Sequence, residues 1–204
     1  MKVLVFGDTH GLADFSHLHE LAQQADLIVH VGDLTNASIE IAEAVAGLKQ
    51  LQERFGVPLV ITHGNHETRS LVEHIGEDSS LVYLHQRVWV YQDELVFFGF
   101  GGGGFARNEP EVEEFFHQAY DDHHATGSTH IWLFHGPPHD LAVDEHPFMG
   151  ATGSLSKREL IDTYNPHFVF CGHIHESWGV IHEHKNTVLV NPGPNGVLLD
   201  ITQK

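Results

Sequence analysis

Five times along this chain a short apolar run ends in a small polar cluster made of metal-ligand side chains. The clusters are Gly7-Asp8-Thr9-His10, Gly32-Asp33, Gly64-Asn65-His66-Glu67, His135-Gly136-Pro137-Pro138 and Gly172-His173-Ile174-His175. The runs before them alternate little, as in residues 3–6 and 27–31, and unbroken apolarity over this length reads as a strand buried on both faces. Glycine after each of the first two runs lets the backbone turn sharply and delivers the next side chains to the strand's carboxyl end. Between the runs lie stretches with apolar residues at helical spacing: Phe15, Leu18, Leu21 and Ala22, then Ile39, Ala42, Val45, Ala46, Leu48 and Leu51. Strand and helix in alternation define an α/β chain with a largely parallel first sheet, in which ligands gather at the carboxyl ends of strands.

Residues 14–24 and 36–55 are therefore expected as helices, with Asp14 or Ser16 and then Asn36 as caps. Residues 71–75 read as a short helix. Residues 81–84, 88–91 and 95–100 come next as close-set strands, joined more as a hairpin than by crossovers. Four consecutive glycines, 101–104, form a loop that is either a connector or a lid approaching phosphate. The helices expected next are 111–120, with an acidic first turn, and 155–164. Strands are expected at 130–134 and 167–171, and residues 140–153 as an aperiodic loop near the site. Strands 177–182, 187–190 and 197–201 are expected to finish a second sheet. No repeat or linker divides residues 1–204, so one domain is the expectation.

Composition excludes several classes. With 10 Lys+Arg against 28 Asp+Glu, the formal charge of -18 repels a nucleic-acid backbone. Stable nucleic-acid binding is therefore not expected. No apolar run approaches the roughly 18 residues of a membrane span, and the first residues read as a strand and not a secretory signal. A single cysteine leaves no internal disulfide and points to the cytoplasm, with Cys171 read as buried packing. Oligomeric state is not legible. Twenty histidines are many for 204 residues and tilt the chain toward a metalloprotein. Most are bystanders: His30, His63, His167 and His182 lie in or beside strands without a motif partner and read as structural.

Seven candidate ligands remain at strand ends: Asp8, His10, Asp33, Asn65, His135, His173 and His175, with His66 held apart for another task. Seven mixed nitrogen and oxygen donors exceed one tetrahedral zinc and suit two five- or six-coordinate ions that share a carboxylate. Such ions lie about 3.5 to 4 Å apart, and a water between them becomes a nucleophile near neutral pH.

The ordered set GDTH, GD, GNHE, HGPP and GHIH resembles that of the calcineurin-like metallophosphoesterases, across residues 7–175. The resemblance implies a four-layer α/β/β/α sandwich of two mixed sheets with a dinuclear centre. It assigns Asp8, His10 and His175 to one ion, Asn65, His135 and His173 to the other, Asp33 as the bridge, and His66 as proton donor to the leaving oxygen. Manganese is the metal expected first, with iron or zinc as alternatives. The implied activity is hydrolysis of phosphate mono- or diesters, small or nucleotide-like, with diesters slightly favoured and the small single-domain branch the nearest likeness. A nuclease of the same superfamily and a non-catalytic scaffold of the same fold are the alternatives; the filled ligand positions speak against the scaffold. Gly102, Gly103 and Arg107 are candidate substrate contacts. Glu67 stands where many members carry aspartate, which bears on how His66 is oriented.

Overall fold

The computed structural model describes residues 1–36, 41–124 and 127–201. In the first sheet β1 (Lys2–Phe6), β2 (Leu27–His30) and β3 (Leu59–Ile61) run parallel, with Val3 opposite Leu27 and Ile28 opposite Leu59. β4 (Val82–Tyr83) adds in parallel beside β3. The second sheet starts as an antiparallel hairpin, β5 (Arg87–Tyr91) with β6 (Leu95–Phe100). It continues in parallel through β7 (Thr129–Phe134), β8 (Phe168–Phe170) and β10 (Thr187–Asn191), and β9 (Val180–His184) closes its edge antiparallel to β10. Finally β11 (Val197–Asp200) returns to the other edge of the first sheet, giving the order β11-β1-β2-β3-β4.

Alternation along the strands sets the layers. Val3, Val5, Leu27, Val29 and Val60 point inward and meet Leu95, Phe97, Ile131, Leu133 and Phe170 of the second sheet. Their neighbours Leu4, Phe6, Ile28 and Leu59 point outward and are covered by α1 (His19–Ala22), α2 (Ile41–Phe55) and α3 (Arg69–Glu77), through Ala22, Leu48, Leu51 and Ile75. On the far side, Phe98, Trp132, Phe134 and Val169 are covered by α4 (Pro110–His123) and α5 (Leu155–Tyr164), through Val112, Phe116, Leu160 and Ile161. Three apolar layers thus hold a helix, sheet, sheet, helix sandwich, the α/β architecture expected.

Several elements depart from expectation. Residues 197–201 do not join the second sheet. β1 would otherwise present a row of unpaired backbone groups, and β11 pairs with it from Lys2 opposite Asp200 to Val5 opposite Val197. Residues 81–84 belong to the first sheet and not to a meander with β5, because Val82 and Tyr83 pair with β3 and the Leu84 amide donates to the Ile61 carbonyl at 2.9 Å. Residues 14–24 form no single helix: Asp14 Oδ1 accepts from the Ser16 amide at 2.8 Å, a local turn that competes with helix. The chain then makes a 3-10 turn at Ser16–Leu18 and the short α1. The strand expected at 177–182 starts later, because His175–Ser177 is a 3-10 turn. The 140–153 loop is less free than its sequence implies. It holds a 3-10 turn at Ala142–Asp144, and buried Asp144 accepts from the amides of Asp140, Thr152 and Gly153.

Phe97 lies fully buried between the sheets, whereas Val90 on β5 is 46% exposed. Phe97→Ala is expected to cost about 3 to 5 kcal/mol in urea unfolding, and Val90→Ala less than about 0.5 kcal/mol.

Candidate metal centre

Every segment singled out in the sequence ends at one edge of the sandwich. β1 leads to Asp8 and His10, β2 to Asp33, β3 to Asn65 and His66, β7 to His135 and β8 to His173 and His175. Four of these residues hold left-handed backbone conformations: Asp8 at φ 52°, His10 at 46°, Asp33 at 51° and His173 at 72°. Such conformations are costly for residues with a Cβ, and the surrounding structure has to over-determine them. Close approach of loops does so. Gly64 packs against the Asp33 carboxylate so tightly that a Cβ there would overlap Oδ1, and a Cβ at Gly172 would lie 2.8 Å from Asp8 Oδ2.

Three overlapping groups result, each with ligand-type atoms within 4.8 Å of one another: Asp8, His10 and His175; His10, Asp33 and His66; and Asp33, His135 and His173. Asp33 belongs to two of them, the position a shared carboxylate requires. The group around His135 is the most telling. Its Nδ1 lies 3.0 Å from the Val31 carbonyl, which can only accept, so Nδ1 carries the proton. In the neutral ring Nε2 is then a bare lone pair, and it faces Asn65 Oδ1 at 3.0 Å and Asp33 Oδ2 at 3.3 Å. Three such acceptors pointed at one another call for positive charge among them, either a second proton on His135 Nε2 or a metal cation. Across the crevice His10 Nε2 faces His175 Nε2 at 3.1 Å, and the buried Nε2 of His173 has no hydrogen-bond partner among the described residues. The mixed set of imidazole, carboxylate and amide donors fits divalent transition ions.

Electrostatics draw positive charge to this centre. Burial opposes charge on Asp33, but His135 and the His66 amide outweigh it and hold the carboxyl at about 2. Burial likewise opposes charge on His135, yet Asp33 beside it keeps that pKa above the ordinary value. His173 is pushed down to about 4 by burial, which leaves its ring neutral and free to donate a lone pair. His10 is lowered for the same reason.

Around these atoms stands a layer of supporting contacts. Glu67 serves the loops more than the His66 ring. It ties two of them together, accepting from the amides of Asp33 at 3.0 Å, Gly64 at 2.5 Å and Thr35 at 2.9 Å. Burial raises its pKa, against the pull of those amides. The group beside His66 is Asn36, read from sequence as a helix cap. Its Oδ1 lies 3.2 Å from His66 Nδ1, and residues 37–40, where a cap would act, lie outside the described residues. Trp178 also escaped notice in the sequence: its indole N–H donates to Asp8 Oδ2 at 3.1 Å and its ring packs 4.3 Å from His175. Only a tryptophan three residues past a ligand signalled it.

The glycine loop behaves differently at each residue. Gly104 approaches His173 and Asn65, Gly102 lies over His63, and Gly103 lies above buried Lys157 and its partner Glu109. Arg107 points elsewhere, with Nη2 3.3 Å from His139 Nε2. His30 is a satisfied core residue: Nδ1 accepts from the Gly32 amide, and Nε2 faces the Thr9 hydroxyl at 3.3 Å. His63 Nδ1 pairs with the Tyr83 hydroxyl at 2.8 Å.

The profile of the calcineurin-like phosphoesterases matches residues 1–177, and the chain belongs to that family. No curated protein matches the sequence. Among solved structures, TT1561 of Thermus thermophilus is 19% identical, with a TM-score of 0.72 over 95% of this chain and 89% of that one. The phosphopantetheinyl hydrolase PptH of Mycobacterium tuberculosis is 12% identical, with a TM-score of 0.62 over 94% and 88%. A putative 5'-nucleotidase of Staphylococcus aureus is 14% identical, with a TM-score of 0.60 over 98% of this chain and 50% of its own length. At these identities the likeness is one of fold. No helix among the described residues is long and apolar enough to cross a membrane.

Two outcomes are expected. Asp33→Asn keeps the shape but removes the carboxylate charge, so elemental analysis after manganese loading should find occupancy well below that of the parent. Metal-free protein should show a pH effect from His30, which burial holds down to about 3 against an ordinary 6.5. Between those values the unfolded chain binds the extra proton, so this contribution is complete above pH 6.5 and shrinks as pH falls toward 3. His30→Gln should therefore lose less stability than the parent between about pH 7 and about pH 5 in denaturant titrations; an equal loss would contradict this.

Proposed function

We propose that the protein is a metal-dependent phosphoesterase acting on small or nucleotide-like phosphate esters, with diesters ahead of monoesters. The observation that carries this reading is the convergence of His135 Nε2, Asn65 Oδ1 and Asp33 Oδ2, a cluster that draws positive charge, as a proton or a metal ion, to its centre. In this reading Asp8, His10 and His175 hold one divalent ion, Asn65, His135 and His173 a second, and Asp33 both. Manganese is the ion placed first, and iron and zinc, which the same mixed donors tolerate, are the alternatives. Ions held there supply the Lewis-acid charge that neutralises phosphoryl oxygens and activates water.

The chain's own groups do the rest. Asp33 is kept ionised by its neighbours, so it is an anion near neutral pH. The Val31 carbonyl fixes the His135 ring in the tautomer that leaves Nε2 free. His66 stands at the rim of the crevice, its amide donating to Asp33 Oδ1 at 3.0 Å and its Nε2 3.9 Å from Asp33 Oδ2. Asn36 Oδ1 accepts a hydrogen bond from Nδ1–H, so in the imidazolium form Nε2–H is the group that delivers a proton. As water oxygen forms the new bond to phosphorus and the ester P–O bond breaks, His66 Nε2 gives its proton to the departing alkoxide.

Net charge of -18 and the lack of a basic run weigh against a nuclease. Buried Cys171, its thiol pKa raised by burial, fits a reducing cytoplasmic setting, and residues 1–204 are read as one domain.

His66→Ala should reduce kcat by about 10²- to 10⁴-fold on an ester with a poor leaving group, while bound manganese stays near the parent value. The loss should shrink for a good leaving group such as p-nitrophenolate, which needs no proton. An equal loss across leaving groups would remove His66 from the acid role.

A further inference from the structure

Beside the metal crevice, which has a volume of about 280 Å³, lies a larger cavity of about 710 Å³. The larger one is formed by the 140–151 loop and the start of β9, with Leu141, Pro147 and Val180 as apolar wall. His146 and Glu176 line both cavities, so the two are contiguous across this pair. The partition has a fixed chemistry. His146 Nδ1 faces the amides of Phe148 and Met149 at 3.3 and 3.2 Å, which makes Nδ1 the acceptor and Nε2 the protonated atom. Nε2 in turn lies 3.5 Å from Glu176 Oε1. The volume is that of a pocket for a small organic molecule, whereas the crevice alone falls just below that range.

The lining carries one sign of charge. Asp140, Asp144, Glu145 and Glu176 contribute carboxylates, and among the described residues no lysine or arginine lines the cavity. Asp144 is buried with its oxygens taken by loop amides, so it fixes the wall. Asp140, Glu145 and Glu176 are exposed. A second anionic group on the substrate would meet these carboxylates in a partly enclosed space, where repulsion is stronger than in bulk water.

We propose that this cavity receives the organic part of the phosphate ester and selects uncharged or cationic alcohols, rejecting those that bear a second phosphate or a carboxylate. The proposal rests on the phosphoesterase reading and deepens it: the phosphoryl group goes to the strand ends, and the 140–151 loop reads what is attached to it. His146 and Glu176, at the boundary, offer a donor and an acceptor to hydroxyl or amino groups next to the ester oxygen.

The test compares three aryl phosphate esters matched in leaving-group acidity, carrying a neutral hydroxymethyl, a cationic aminomethyl or an anionic carboxylate substituent, with manganese-loaded full-length protein at about pH 8, where carboxylates are ionised. The neutral and cationic esters should exceed the anionic one in kcat/KM by about tenfold or more. Glu145→Gln, at an exposed position, should lower that ratio, and the combination with Asp140→Asn and Glu176→Gln should bring it below about threefold. Turnover of all three esters within about twofold of one another in the parent protein overturns the pocket alone. A parent preference that the combined variant leaves unchanged also overturns it. Absence of turnover on every ester, the unsubstituted phenyl ester included, overturns the phosphoesterase reading and the pocket with it.

Discussion

The demand for positive charge among the atoms around Asp33 is the constraint to which the rest of this molecule answers. Asp33 Oδ2, Asn65 Oδ1 and the Nε2 atom of His135 come from β2, β3 and β7, on two different sheets, and meet within hydrogen-bond range. With neither a proton nor a metal ion among them, these atoms would push their loops apart. The cluster persists because Asp33 is pinned through its amide by Glu67 and through Oδ1 by the His66 amide, and because the Val31 carbonyl accepts a hydrogen bond from His135 Nδ1. The fold thereby holds in place an arrangement that favours positive charge at its centre, and a family of phosphoesterases is the class in which that arrangement is expected.

Holding it costs backbone strain. Asp8, His10, Asp33 and His173 all occupy left-handed conformations, and Gly64 and Gly172 are required where their loops press on carboxylates. These tensions lie at the ends of strands whose other residues are largely buried and whose inner layer of valine, leucine and phenylalanine packs two sheets together. Stability is made in the layers and used at the rim, which is the usual division between scaffold and site.

Much of this was legible in the sequence because the unbroken apolar runs of the strands and the glycine that ends them are local signals. The residues brought together at the rim, Asp8, His10, Asp33, Asn65, His66, His135, His173 and His175, were all visible as cluster members. What the sequence did not disclose depends on contacts between distant segments. β11 returning to β1 is decided by the need to cover an edge, which no local pattern encodes. Asn36, read as a helix cap, also lies beside a histidine thirty residues later, which its own stretch of chain does not announce. Glu67 resembled an orienter of its neighbour His66 but bonds the loop amides of Asp33, Thr35 and Gly64. Trp178 and His146 matter through pairings with Asp8 and Glu176 that their own surroundings in the chain do not announce.

The most direct measurement is the paramagnetic resonance spectrum of protein loaded with two equivalents of manganese. If Asp33 is shared between two ions about 3.5 to 4 Å apart, the spectrum should show an exchange-coupled pair at full loading. Two uncoupled six-line signals, or saturation with a single ion, would contradict the shared-carboxylate centre.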